Sequence, residues 1–172
     1  FFKYCMENLS DEEKKNIYYV IDKKAPDYEK IKEYDDHIIQ FMSLKHVLYV
    51  LAAVLYVASD SRTHLYAWRC KTSLIRSKID KRPIFFLQHG VTALKQVGPL
   101  FGRKGSSPMT YFATTSKFEQ DIVVKYLDYS EAKSPITGFT RWDVLEDTST
   151  KDDKLILLMP TWRSWPVSYT HL

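Results

Sequence analysis

The sequence predicts an α/β domain built on a parallel sheet with helices on both faces. Three observations carry that prediction. Short β-branched and aromatic runs alternate with capped or amphipathic segments over brief connections, the pattern of strand–helix–strand units. One run, residues 83–87, is apolar at five successive positions, as a strand buried on both faces requires. That run then breaks into Gln88-His89-Gly90, a polar junction of the kind found beyond the carboxyl ends of strands, where open α/β sheets collect ligands.

The elements follow in order. Residues 1–9 read as the tail of a helix whose beginning is expected upstream, since the chain opens on Phe1 rather than Met. Ser10 followed by Asp11, Glu12 and Glu13 marks a polar turn or a helix start. Residues 16–22 form a strand that ends at Lys23-Lys24-Ala25-Pro26. A short helix over 27–33 and a short strand over 36–41 come next. Ser43 offers an N-cap to a helix whose apolar stripe is Leu44, Val47, Leu48, Leu51 and Ala52. Residues 54–58 continue as a buried strand ending at Ser59-Asp60-Ser61, and the basic segment 62–81 shows little periodicity.

Beyond the strand at 83–87, the Gly-, Ser- and Pro-rich residues 98–108 read as a mobile loop. Its Gly102-Arg103-Lys104-Gly105-Ser106-Ser107 lacks Walker spacing and a preceding buried strand, so it is not a phosphate loop. Residues 109–114 form a strand, and Ser116 caps a helix through Tyr126, with Glu119 completing a capping box. Residues 135–138 make a last short strand and turn before Phe139-Thr140-Arg141-Trp142-Asp143. The division expected is a domain over 1–145, a charged linker over 146–154, and the first strand of a second unit within 155–172. Residues 166–172 continue no pattern.

Composition narrows the function classes. At 172 residues the chain can bury one core, and 45% hydrophobic with 15% aromatic content excludes a disordered chain. Cys5 and Cys70 have no ligand-like spacing and fit a reducing compartment. The longest apolar stretch, residues 47–58, falls short of the ~18 residues a membrane span needs. The net charge of +4 conceals an imbalance: residues 61–105 carry ten basic side chains against Asp80 alone. A field of one sign beside His89 would draw phosphates, nucleic acid or anionic lipid head groups. The run is equally compatible with plain solvated surface.

His89 is the candidate for chemistry. A histidine at the lip of a sheet can take a proton near neutral pH, its unperturbed pKa being about 6.5. Gly90 leaves the backbone bare enough for a substrate to come close. Taken alone, the junction also suits a histidine that caps a turn.

Three spaced segments resemble one family: Gln88-His89-Gly90 with Lys95, Gly138-Phe139-Thr140-Arg141-Trp142-Asp143, and Leu157-Leu158-Met159-Pro160-Thr161-Trp162-Arg163. In this order they resemble the CDP-glycerol glycerophosphotransferases, the polymerases and primases of wall teichoic acid. Two departures stand out. Val91 follows Gly90 where the family run is His-Gly-Thr-Pro-Leu-Lys, so the Leu-Lys pair falls one residue late, and Thr140 replaces a proline.

The resemblance implies a Rossmann-like domain forming the amino-terminal, acceptor-side half of a GT-B architecture, with only the first strand of the donor-side domain in this chain. It implies transfer of glycerol phosphate from CDP-glycerol to the hydroxyl end of a poly(glycerol phosphate) chain, a reaction this chain alone is not expected to complete. His89 would be the catalytic base, and Gln88, Gly90, Thr92, Lys95 and Arg141 the substrate-binding residues. Gly138 and Asp143 would shape a turn, and Arg141 either contacts phosphate or pairs with Asp143 or a nearby acid. The implied partners are CDP-glycerol as donor substrate, with no separate cofactor, and a polyanionic, membrane-anchored teichoic acid acceptor; the residues themselves offer no Asp/Glu cluster that makes a metal site. The implied location is cytoplasmic, peripheral to the anionic inner face of the plasma membrane. Two rivals stand beside this reading: another GT-B transferase using a nucleotide sugar, and a basic nucleic-acid-binding module. The second is disfavoured because no RNP, KH or helix-turn-helix pattern is present.

Overall fold

The computed structural model of the chain describes residues 1–65, 74–93 and 95–149. The strand expected at 155–163, the tail at 166–172, Leu94, and residues 66–73 of the basic segment lie outside the described residues.

Among the described residues, five short strands pair in parallel within two sheets. β1 (Tyr19–Ile21) pairs with β2 (Ile38–Gln40), and β3 (Tyr56–Ala58), β4 (Ile84–Phe86) and β5 (Tyr111–Phe112) pair in that order. The parallel α/β class matches the expectation, but the single sheet does not: among the described residues there are two, each with its own core. Helix α1 (Phe2–Asn8) buries Phe2, Cys5 and Met6 against Ile38 under the β1–β2 pair. The short α2 (Asp11–Lys14) starts at Ser10 with a full capping box to Glu13. Around the three-stranded sheet the core gathers Tyr56, Ile79, Ile84, Phe86, Phe112 and Val123. β4 is central, as its composition demands. Ile84 and Phe86 are fully buried, while half-buried Phe85 stacks on Tyr111 of the neighbouring strand at 5.8 Å.

Four local expectations need correction. Helix α3 (Leu44–Ala52) starts at Ser43, whose Oγ accepts from His46 N at 3.1 Å, but its apolar stripe is set differently. Leu44 and Leu48 are 75% and 56% exposed, and the inward face is His46 and Val50. The reason is the buried His46 ring, whose Nε2 meets Leu65 O at 2.8 Å while Nδ1 accepts from Met42 N at 3.2 Å. β3 is an edge strand among the described residues: Val54, Leu55 and Val57 are exposed, and Tyr56 is buried with its hydroxyl donating to Val50 O.

The basic segment holds a helix, α4 (Leu74–Asp80), and Arg62 is no part of a wet surface. It is buried and donates through Nη1 to Arg82 O at 2.6 Å, where α4 gives way to β4. Residues 98–108 are not a mobile loop either. They form α5 (Gly98–Phe101) and a tight turn in which Gly105 N bonds Gly102 O and Ser107 N bonds Leu100 O, each at 2.8 Å. A Cβ on Gly102 or Gly105 would lie 2.6 Å from a backbone oxygen, so close packing of the chain, not freedom, demands these glycines. Tyr129 locks the turn by donating to Phe101 O at 2.7 Å and accepting from Met109 N at 2.8 Å; burial pushes its phenol above the ordinary range.

Elsewhere the elements are shorter than predicted. Residues 27–33 lie in two 3-10 turns, Pro26–Lys30 and Lys32–His37, and the last strand reduces to one bridge between Thr114 and Ile136. Because β3, β4 and β5 are parallel, their carboxyl ends share one edge. Ser59, Gln88-His89 and Ala113–Thr115 therefore come together there. Helix α6 (Lys117–Leu127) runs back to the opposite edge, where Leu127 O receives Arg103 N.

Candidate functional site

The site begins at Gln88, which leaves β4 with a φ of 63°, in the left-handed region that non-glycine residues rarely adopt. Its buried amide is committed: Nε2 donates to Ala113 O and, at 3.1 Å, to Glu119 Oε1, while Oε1 accepts from Thr92 Oγ1 at 3.1 Å. Thr92 is likewise buried, and its N–H donates to the same Glu119 oxygen. Glu119 lies in the first turn of α6, where Ser116 Oγ accepts from its N–H at 3.2 Å. The predicted capping box is thus half formed. The Glu119 carboxylate accepts from Thr115 N and Thr115 Oγ1, both at 2.7 Å, rather than closing back on Ser116.

Between Gln88 and Thr92 the chain turns outward and leaves His89 exposed at the edge of the sheet. The ring sits edge-on to Phe86 at 6.2 Å, and Nδ1 lies 2.7 Å from Ser59 O, at the end of β3. A carbonyl oxygen only accepts, so Nδ1 carries the hydrogen. In the neutral ring, Nε2 then holds the lone pair. Gly90 follows with open space around it: an added Cβ would meet no heavy atom within 4 Å.

A third loop completes the edge. Gly138 adopts a φ of 70°, held where its N–H and that of Thr137 both bond Thr114 O. Phe139 is buried, and the 3-10 turn Thr140–Val144 carries Arg141 and Asp143 on the surface. Arg141 Nη1 donates to His89 O at 3.1 Å, and its guanidinium lies 4.5 Å over the Phe139 ring. No described acid pairs with it, so the ion pair with Asp143 that the sequence allowed is not formed. Trp142 packs edge-on to Phe139 at 5.0 Å. Lys95 is exposed beyond the Thr92 turn.

The described members of the basic cluster do not gather at one place; Arg69 and Lys71 lie outside the described residues. Arg62 is buried, Arg76 pairs with Asp80 at 2.8 Å, and Arg103 and Lys104 sit in the turn at the opposite sheet edge. Among the described residues, Arg141 is bonded to the His89 loop, and Lys95 is exposed six positions further along the chain. No group of three His, Cys, Asp or Glu is placed to hold a metal ion, and no helix is long and apolar enough to cross a membrane, among the described residues.

Residues 2–172 match the model of the CDP-glycerol:poly(glycerophosphate) glycerophosphotransferases. The chain belongs to that family. It is 30% identical over 168 residues to the minor teichoic acid biosynthesis protein GgaB of Bacillus subtilis (strain 168). That similarity covers 94% of this chain and 17% of GgaB, so the chain spans a small part of that relative's length. No solved structure matches the chain.

Within this member of the family, the residues singled out from the sequence at 88–92 and 138–141 meet at one edge, joined through His89 O and Arg141. Two contributors carried no signal of this role. Ser59 acts through its main-chain carbonyl, which no side-chain pattern reveals. Glu119 was visible as a helix-start residue, but its reach to Gln88 and Thr92 depends on the packing of α6 against the β4 loop.

Proposed function

We propose that the complete protein transfers glycerol phosphate from CDP-glycerol to the hydroxyl end of a poly(glycerol phosphate) chain, with His89 as the base. One observation carries the reading: the Nδ1–H bond to Ser59 O fixes the tautomer that leaves Nε2 as proton acceptor on an exposed edge. Family membership supplies the substrate class. In the reaction the attacking hydroxyl oxygen bonds to the glycerol-bearing phosphorus. The bond from that phosphorus to the oxygen shared with the cytidine phosphate breaks, CMP leaves with the electron pair, and the hydroxyl proton passes to Nε2.

The neighbours take supporting roles in this reading. Gly90 gives the acceptor a close approach, and Lys95 and Arg141 meet its phosphates; a guanidinium has five N–H groups, so donation to His89 O leaves others for an anion. Gln88 and Thr92 hold the loop, and Gly138 and Asp143 shape the turn bearing Arg141. The domain is the acceptor side of a two-domain GT-B enzyme, working at an anionic membrane surface to which its polyanionic acceptor is anchored.

The test uses the complete enzyme with CDP-glycerol and a lipid-anchored poly(glycerol phosphate) primer, following CMP release. Turnover is expected, and His89→Ala should reduce it by roughly 10²- to 10⁴-fold, the usual worth of a positioned base. Turnover of UDP-sugars in place of CDP-glycerol would assign a different nucleotide-dependent transferase. Salt-dependent DNA binding without acceptor binding would overturn the enzyme reading.

A further inference from the structure

Glu119 is fully buried, and its two oxygens divide their work between two elements. Oε2 accepts from Thr115 N and Thr115 Oγ1, both at 2.7 Å, and so serves the start of α6. Oε1 turns the other way and accepts from Thr92 N and from Gln88 Nε2. A glutamate needed only at a helix start would leave that second oxygen to water, since one carboxylate oxygen suffices for the cap. Here it is enclosed and spent on the two residues that bracket His89 and Gly90. Gln88 also needs holding, because its left-handed backbone is disfavoured for a residue with a Cβ.

We propose that Glu119 is a positioning residue for His89: its carboxylate clamps both ends of the 88–92 turn and so sets where the imidazole stands. The proposal rests on the reading of His89 as base. Removing the clamp lets Gln88 relax, displaces His89 from Ser59 O, and releases the tautomer that the bond fixes. Glu119→Gln is the sharpest probe. It keeps the shape but replaces one acceptor oxygen with an NH₂ that faces donors, so one side of the clamp must open. Glu119→Asp retains the charge and withdraws it by one methylene.

In the complete enzyme, Glu119→Gln is expected to lower kcat by about 10²-fold, the scale of a misplaced catalytic group, with KM for CDP-glycerol unchanged. In a His89→Ala background the same substitution should cost nothing further, because the two residues act as one unit. An equal loss in both backgrounds would overturn the proposal. A second measurement stands apart from activity: ¹⁵N NMR of the His89 ring should report the Nδ1–H tautomer in the wild type and a redistributed one in Glu119→Gln. Ring signals unchanged in both Glu119→Gln and Glu119→Asp would overturn the proposal. A wild type inactive on CDP-glycerol would refute the proposed reaction alone, leaving the ring signals to decide on Glu119. Should Glu119→Gln not fold, Glu119→Asp carries both measurements.

Discussion

Gly90 is a position where the described structure makes no demand for glycine. An added Cβ meets nothing within 4 Å, and among the glycines only Gly138 has a positive φ. Alanine at 90 therefore fits without strain and narrows the unfolded ensemble, which stabilises by about 0.4–1 kcal/mol. For a chain of 172 residues, each kcal/mol moves Tm by roughly 2–4 °C, so Gly90→Ala should melt about 1–4 °C higher. Activity should move the other way. If the acceptor approaches the bare backbone beside His89, a methyl group there overpacks the encounter by about 1–3 kcal/mol. At 1.4 kcal/mol per tenfold, kcat/KM falls by roughly 5- to 150-fold. Circular dichroism melting of this chain and CMP release by the complete enzyme check the two halves. A lowered Tm would show that the glycine serves the fold, and an unchanged kcat/KM would show that no substrate passes there.

Two further outcomes follow from the geometry. His46 is neutral in the fold, with Nε2–H donated to Leu65 O and Nδ1 accepting from Met42 N–H, and burial holds its pKa below the ordinary value. Its contribution is complete above about pH 6.5, the ordinary histidine value, and is lost as pH falls from there through the lowered folded pKa, because the unfolded ring binds a proton first. Urea unfolding at pH 7.5 and 5.5 should therefore lose more stability in the wild type than in His46→Asn; equal losses would contradict the assignment. Gly138→Ala has open space for its methyl but a φ of 70°, so it should cost about 1–2 kcal/mol from backbone strain alone. A Tm within error of the wild type would show that the turn relaxes freely.

What could be read from the sequence was local. Ser43 and Ser116 announce helix starts because the cap bond spans three residues, and β4 announces itself because a central strand of a parallel sheet is covered on its faces and so reads as an apolar run. What escaped was set by distant packing. The inward face of α3 includes a histidine, so a hydrophobic count alone put the stripe on Leu44 and Leu48, which face solvent. α4 spans seven residues inside a charged run, too short for a period to show. Glycines 102 and 105 read as flexibility from composition, although backbone oxygens 2.6 Å from their missing Cβ atoms require them. At the site, His89 and Arg141 were visible as residue types. The bond between Arg141 and the His89 carbonyl, 52 residues apart in sequence, was not.

The way His89 is held bears on what kind of base it can be. Its Nδ1–H goes to a main-chain carbonyl rather than to a carboxylate, so the bond fixes the tautomer without itself supplying a negative charge to an imidazolium. In the proposed reaction its part would be to take the hydroxyl proton at Nε2, with the exposed edge open to water. The orientation depends on register as much as on residue type. Val57 faces Phe85 and Ala58 faces Phe86, and that alignment brings Ser59 O opposite His89. A slip of one residue between β3 and β4 would turn Phe86 out of the core and move the carbonyl away from Nδ1. The hydrophobic pairing that holds the sheet together thereby also sets the direction of the proton acceptor. Substitutions at Ile84 or Phe86, though remote from solvent, should accordingly be felt at Nε2.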